Sequence, residues 1–356
     1  MGAALEVGGA PVVTLRGGQP PTEGPAFIEA QILPGRGMML LQARLRLADG
    51  TVVDAIEAPA PQEAAARLDG GLDDFAGNAS FSFGGAILAP YANRVRGRPL
   101  ADCREIETDI AGQTVRLPRN WGGKAPGAEQ YAMHGLILDA QTAWRQDDPA
   151  HVSGWLDAGD FAGRWPGGLR LGFEWRLTGG ALTLRVRAQN VGDRPTPVGI
   201  GWHPYLRVLS GDRAQARLSL PASCRAVVGD YDSVLPTGDL DAVAGTDYDF
   251  CAAFGRALGG IYLDDCFTDL HRSEGRAVAS VLDPASGVGL RVASPSAKVR
   301  AFQVYAPPDK AFVVVEPQFN LADPFGREWQ ARDTGMVMIP PGGAATYEAE
   351  LSAFAF

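Results

Sequence analysis

The chain has 356 residues and a formal net charge of −9, with 46% hydrophobic and 21% charged residues. That balance describes a globular protein able to bury a large core, and its acidity argues against a nucleic-acid partner. No apolar run is long enough to cross a bilayer, and the 45 glycines and 26 prolines favour a turn-rich β architecture over a helical one.

Met1 to Thr14 has no basic stretch followed by an apolar one, so no secretory signal is read there. Met1-Gly2 opens in the manner of a myristoylation site, but Glu6 stands where Ser or Thr is needed. Residues 1–24, rich in Gly and Pro from Gly8 onward, read as a loosely held lead-in. Met38 to Leu47 alternates, Asp49-Gly50 follows, and then Thr51-Val52-Val53. Asp-Gly between apolar runs predicts a hairpin, because Gly accepts the positive φ of the turn. Pro61 to Asp69 is the best helix candidate, with Pro near its start and Gly70 after its end.

Leu169 to Asn190 is the clearest hairpin. Leu169, Leu171, Phe173, Trp175 and Leu177 share one face, Thr178-Gly179-Gly180 turns the chain, and Leu182, Leu184, Val186 and Ala188 continue the pattern. Further strands are expected at Ala279–Leu282, Gly289–Val292, Val299–Val304 and Met336–Ile339. No repeat, low-complexity tract or linker divides the chain. Residues 1–356 therefore read as one domain, an all-β antiparallel sandwich of unusual size with few short helices. Cys103, Cys224, Cys251 and Cys266 lack metal-ligand spacing and are expected as free thiols in a cytoplasmic protein.

Several stretches carry chemistry. Phe312 to Val315 reads as a strand running into Glu316 and stopped by Pro317, with Phe312, Val314 and Glu316 on one face. A carboxylate there is a potential base, or else a rim group paired with an arginine. His134 is followed by Gly135, and His203 stands between Trp202 and Pro204-Tyr205. Rings beside a group titrating near neutrality suit a sugar site; the alternative for either histidine is a buried ring bonded to a carbonyl. His151 and His271 lie in polar stretches, are expected to be exposed, and receive no role. Asn93-Arg94-Val95-Arg96-Gly97-Arg98 concentrates positive charge, either to bind a ligand or as a solvated strand face. Of Asp264 and Asp265, adjacent on a strand, only one can face a site. No zinc pattern, P-loop, dinucleotide motif or nucleophile elbow is present.

Taken together, these stretches resemble the aldose 1-epimerase (galactose mutarotase) family. The matching pieces are Asn93-Arg94-Val95 with Gly97, His134-Gly135, His203-Pro204-Tyr205, Asp264 ahead of Phe267, and Glu316 with Pro317-Gln318. They come in the family's order over roughly residues 80–350. The resemblance implies a large antiparallel β-supersandwich and anomer interconversion of a free hexose without cofactor or metal. It implies Glu316 as general base, His203 as general acid and His134 near the ring oxygen, with Arg94, Asn93 and Asp264 holding the sugar. The partner implied is a small sugar, with no nucleic acid or membrane, and the protein a monomer or homodimer. Two departures, Phe319–Phe325 after the base and Leu206 in place of the usual phenylalanine, leave the sugar open. Alternatives are a glycosidase using Asp264 and Glu316, a hexose-phosphate mutarotase using Arg94, Arg96 and Arg98, and a non-catalytic carbohydrate-binding protein.

Overall fold

Strands dominate because alternation dominates the sequence. The computed structural model describes residues 5–18, 21–101, 103–123, 128–252 and 254–356. Leu169–Thr178 and Ala181–Asn190 pair along their whole length, closed by Gly179 and Gly180 at positive φ. Leu171, Phe173, Trp175 and Leu184 enter the core, while Arg170, Arg176 and Arg185 stay exposed. The hairpin belongs to a ten-stranded sheet in which Ala344–Ala355 and Val288–Ser294 lie next to it.

An eleven-stranded sheet faces it, with Leu263–Leu270, Ala301–Ala306, Phe312–Gln318, Gly201–Arg207 and Gly85–Leu88 in that order at its centre. One continuous hydrophobic cluster joins the two sheets. Trp175 of the first meets Trp202 of the second edge to face, with centroids 5.6 Å apart, and Tyr347 donates its hydroxyl to the Pro317 carbonyl at 2.8 Å. Each such large side chain taken from water contributes about 1.5–3 kcal/mol. The architecture is the all-β antiparallel supersandwich that the sequence led us to expect. Among the described residues helix is confined to Pro61–Arg67 and three short 3-10 segments, and no helix is long and apolar enough to cross a membrane.

The amino-terminal stretch departs from expectation. Val13–Arg16 pairs with Ala26–Leu33 at the edge of the larger sheet, and Val13 and Leu15 are buried. Two alternating apolar residues suffice to anchor a short edge strand even in Gly- and Pro-rich surroundings. Met1 and Gly2 lie outside the described residues. All four cysteines are free thiols.

Candidate active site

The pleat of the larger sheet sorts its side chains between the core and a cavity. In Phe312–Gln318, Val313 and Val315 join the core, so Phe312 and Glu316 turn to the opposite face. Likewise Trp202 and Leu206 point inward while His203 and Tyr205 do not, and Phe302 and Val304 point inward while Gln303 and Tyr305 do not. The result is a cavity of about 530 Å³ on the outer face of this sheet. Its other wall comes from a small sheet of Trp121–Gly122, Gln130–Met133 and Arg94–Arg96, which carries Arg94 and leads into His134.

Pro317 does not end its strand as expected; the strand runs on through Gln318. Proline lacks a donor and is poorly tolerated inside a sheet unless the ladder opens beside it. That is what happens here. Gly201 pairs with Gln318 and Tyr205 with Val314, but the ladder between Gly201–Arg207 and Phe312–Gln318 is interrupted in between. Within that gap the register sets His203 opposite Glu316, and His203 Nε2 lies 3.5 Å from Glu316 Oε2. The gap is wider than the usual N–H···O separation of about 2.9 Å.

His134 completes the cluster from the other wall. It has positive φ, its backbone N–H donates to the Asn93 carbonyl at 2.8 Å, and its ring meets His203 edge to face at 5.0 Å. Gly135, with φ +88°, follows because a Cβ there would sit 2.2 Å from the Ala89 carbonyl oxygen. Nδ1 of both histidines and both oxygens of Glu316 are buried without a hydrogen-bond partner in the protein. A structural ion pair or core histidine would not leave so many groups unsatisfied.

Above this floor four side chains close a ring of hydrogen bonds. Arg94 Nη2 donates to Asp264 Oδ2 at 2.9 Å, and Gln303 Nε2 donates to Asp264 Oδ1 at 2.6 Å. Asn93 Nδ2 donates to Gln303 Oε1 at 2.9 Å, and Asn93 Oδ1 accepts from Arg94 Nη1 at 2.8 Å. Arg94, Asp264 and Gln303 line the cavity; Asn93 and Glu316, both fully buried, lie behind that lining. The Asn93 amide holds Gln303 and Arg94 in place. Gln303 was missed by the sequence reading. Its one local signal is a buried amide inside the apolar run Ala301–Ala306.

Burial lifts the Glu316 carboxyl well above the usual carboxylate range, outweighing the pull of Arg94, and Asp264 adds to the lift. Burial also brings His203 down to about 4, only partly offset by the attraction of its own backbone, and Arg94 adds to the lowering. His134 is depressed well below the usual imidazole value by burial, then by His203 and Arg94. For Arg94 burial works against the charge, but Asp264 and Tyr131 more than compensate and keep it protonated. Burial therefore pushes all three groups toward their neutral forms.

The other candidates go elsewhere. Arg96 binds Asp323 at 3.0 Å and Glu328 at 2.9 Å, and Arg98 pairs with Glu107 on the surface, so the three arginines do not converge. Asp265 faces away from the cavity and binds Arg225 at 2.7 Å. His151 is buried rather than exposed, 3.3 Å from Asp147 and apart from the cluster. The donor atoms of His134, His203 and Glu316 lie within 4.8 Å of one another. Ligands on a tetrahedral zinc at about 2.1 Å sit about 3.4 Å apart, so a metal would require the three to draw together.

Fold and site define a β-supersandwich with a buried carboxyl–imidazole pair beneath a ring of hydrogen-bonding groups. The chain belongs to the aldose 1-epimerase family, whose model matches residues 50–344. Among curated proteins none matches the sequence significantly. Among solved structures it is similar to a galactose mutarotase-like protein from Clostridium acetobutylicum, with 17% identity, a TM-score of 0.72 and 93% of each chain covered. It is also similar to an aldose epimerase homologue from C. elegans, with 16% identity, a TM-score of 0.71, and 97% of this chain and 98% of that one covered. A galactose mutarotase-like protein from Lactobacillus casei aligns at 16% identity and a TM-score of 0.66, covering 96% of this chain and 99% of that one. At these identities the likeness is one of fold.

Proposed function

We propose that the protein is a mutarotase, interconverting the α and β anomers of a free, neutral aldose by proton transfer. The observation that carries this reading is the His203–Glu316 pair at 3.5 Å, buried with its remaining polar atoms unpartnered. Glu316 takes the proton of the anomeric hydroxyl while His203 gives one to the ring oxygen, and the C1–O5 bond breaks. The open-chain aldehyde turns about C1–C2 and closes with both transfers reversed. The pair needs one proton between its members. Burial favours that proton on Glu316, and a sugar hydroxyl hydrogen-bonded to the carboxylate favours its transfer to His203. Each positioned acid or base of this kind contributes about 10²–10⁴-fold.

Arg94 and Gln303 would donate to sugar hydroxyls, Asp264 would accept from them, and His134 would stand near the ring oxygen. The same observations weigh against the alternatives. Asp264 already accepts on both oxygens, which leaves it poorly suited to be half of a glycosidase pair. Arg96 and Arg98 are committed to carboxylates, which removes the cluster a phosphate would need. The reading implies an enzyme that needs no cofactor, acting on cytoplasmic sugars as a monomer or homodimer. Saturation-transfer NMR on a panel of free sugars tests it. Exchange above the uncatalysed rate is expected for at least one neutral aldose; sugar binding without exchange, or release of sugar from an aryl glycoside, would overturn it.

A further inference from the structure

We propose that Asn320 is a positioning residue of the active site. It clamps the backbone of Ala92, so that the turn carrying Arg94 is held in register with the strand carrying Glu316. This rests on the mutarotase reading, which assigns the base to Glu316 and a sugar contact to Arg94. Asn320 lies four residues beyond Glu316, in the stretch Phe319–Phe325 where the sequence departs from its family's pattern.

The Asn320 side chain is wholly buried and fully used. Its Oδ1 accepts the Ala92 N–H at 3.1 Å, and its Nδ2 donates to the carbonyls of Ala92 and Leu321, both at 2.9 Å. One amide thus satisfies both backbone groups of a buried residue 228 positions away, as a neighbouring strand does inside a sheet. The fold reserves the space for it: a Cβ on Gly199 would stand 1.9 Å from Asn320 Oδ1.

Both ends of the link are stiff. On the Glu316 side, Phe319 donates its N–H to the Ile200 carbonyl at 2.9 Å and packs on Tyr347, and Gln318 Nε2 donates to the Asn320 carbonyl at 2.7 Å. On the arginine side, Asn93 has φ +63°, a conformation that asparagine tolerates but that its surroundings must hold, and its Oδ1 accepts the Arg94 N–H at 3.0 Å. Asp323 supplies a second grip. Its N–H donates to the Arg94 carbonyl at 2.8 Å, and its carboxylate accepts the Arg96 N–H at 2.8 Å. The segment after the base therefore takes Ala92, Arg94 and Arg96 by their backbones. Asp264 and the Asn93 side chain fix the far end of the Arg94 side chain, whereas the clamp fixes where that side chain begins. Removing the Asn320 amide orphans two buried backbone groups. The turn then shifts to find other partners and carries the guanidinium with it, while His203 and Glu316 stay on their own strands.

The test measures KM and kcat for anomer exchange by saturation-transfer NMR, sugar Kd by titration calorimetry, and Tm. Asn320→Ala is expected to raise KM and Kd together by about tenfold with kcat within about threefold, the pattern of lost ground-state and transition-state binding alike. In an Arg94→Lys background the same change should add less than about twofold, because a fork already removed cannot be misplaced. Gly199→Ala, which drives a Cβ into the amide without removing it, should raise KM as Asn320→Ala does, and the double variant no more than either single. It carries the test should Asn320→Ala not fold. A lowered Tm with KM unchanged makes Asn320 structural only and overturns the proposal, as does a rise in KM that adds in full to that of Arg94→Lys. Sugar binding without exchange in the wild type overturns the mutarotase reading, and the same comparisons in Kd still decide the clamp. A wild type that binds no sugar overturns both.

Discussion

His203 and Glu316 face each other across the interrupted stretch of the ladder that joins their strands, with Nε2 and Oε2 3.5 Å apart. With Pro204 and Pro317 next to them, the two groups occupy a local opening in an otherwise regular sheet.

Glu316→Gln keeps the shape of the side chain but cannot take a proton, so anomer exchange should fall by two orders of magnitude or more while sugar binding survives. The same change should stabilise the fold at neutral pH. The folded carboxyl is held well above its ordinary value, so above about pH 4.5 the unfolded chain ionises where the folded one resists, and wild type loses stability as pH rises. The variant escapes this loss. Its Tm should exceed that of wild type by several degrees at pH 7, with the difference closing toward pH 4. Near-normal turnover in the variant would make Glu316 a structural residue.

His203→Asn should cut kcat more deeply than His134→Asn, by about 10²–10⁴-fold for loss of a general acid. His203 stands next to Glu316, whereas His134 stands behind it against His203 and Phe81. Asn is a fair probe at position 134 because it tolerates the positive φ there. The opposite order of effects would exchange the two roles.

The pH profile of kcat/KM should be flat through neutrality. The active pair carries one proton; its acid limb is the second protonation, of His203, and burial sets that at about 4. The alkaline limb is loss of the proton from Glu316, raised by burial. An acid limb near the ordinary imidazole value of about 6.5 would mean that His203 is solvated in the working enzyme.

Three arginines close in sequence should behave in three ways. Arg94→Lys keeps a charge but not the planar fork that serves Asn93 and Asp264 together, and KM should rise at least tenfold, matching a charged hydrogen bond of about 1.5–3 kcal/mol. Arg96→Ala should leave KM alone but lower Tm, since Asp323 is buried against it. Arg98→Ala should change neither, because its pair with Glu107 lies on the surface. A steep salt dependence shared by all three would favour an anionic sugar.

Periodicity is a local property, and the sequence carried it plainly. The hairpin Leu169–Asn190, the helix at Pro61 and the face shared by Phe312 and Glu316 follow from spacing alone, as does the opposition of Asp264 and Asp265 across one strand. A short edge strand at Val13 escaped notice because glycine and proline around it outweighed two alternating apolar residues. What spacing could not reveal depends on which strands lie side by side. Asn93 and Gln303 are 210 residues apart and meet only because the small sheet packs on the large one. The break opposite Pro317 belongs to the pairing of two strands rather than to either of them. Whether Arg96 meets a ligand or a carboxylate, and whether Tyr231 is free or tied to Asp265, was likewise decided by tertiary contacts, because a polar side chain takes whichever partner the fold brings within hydrogen-bond reach.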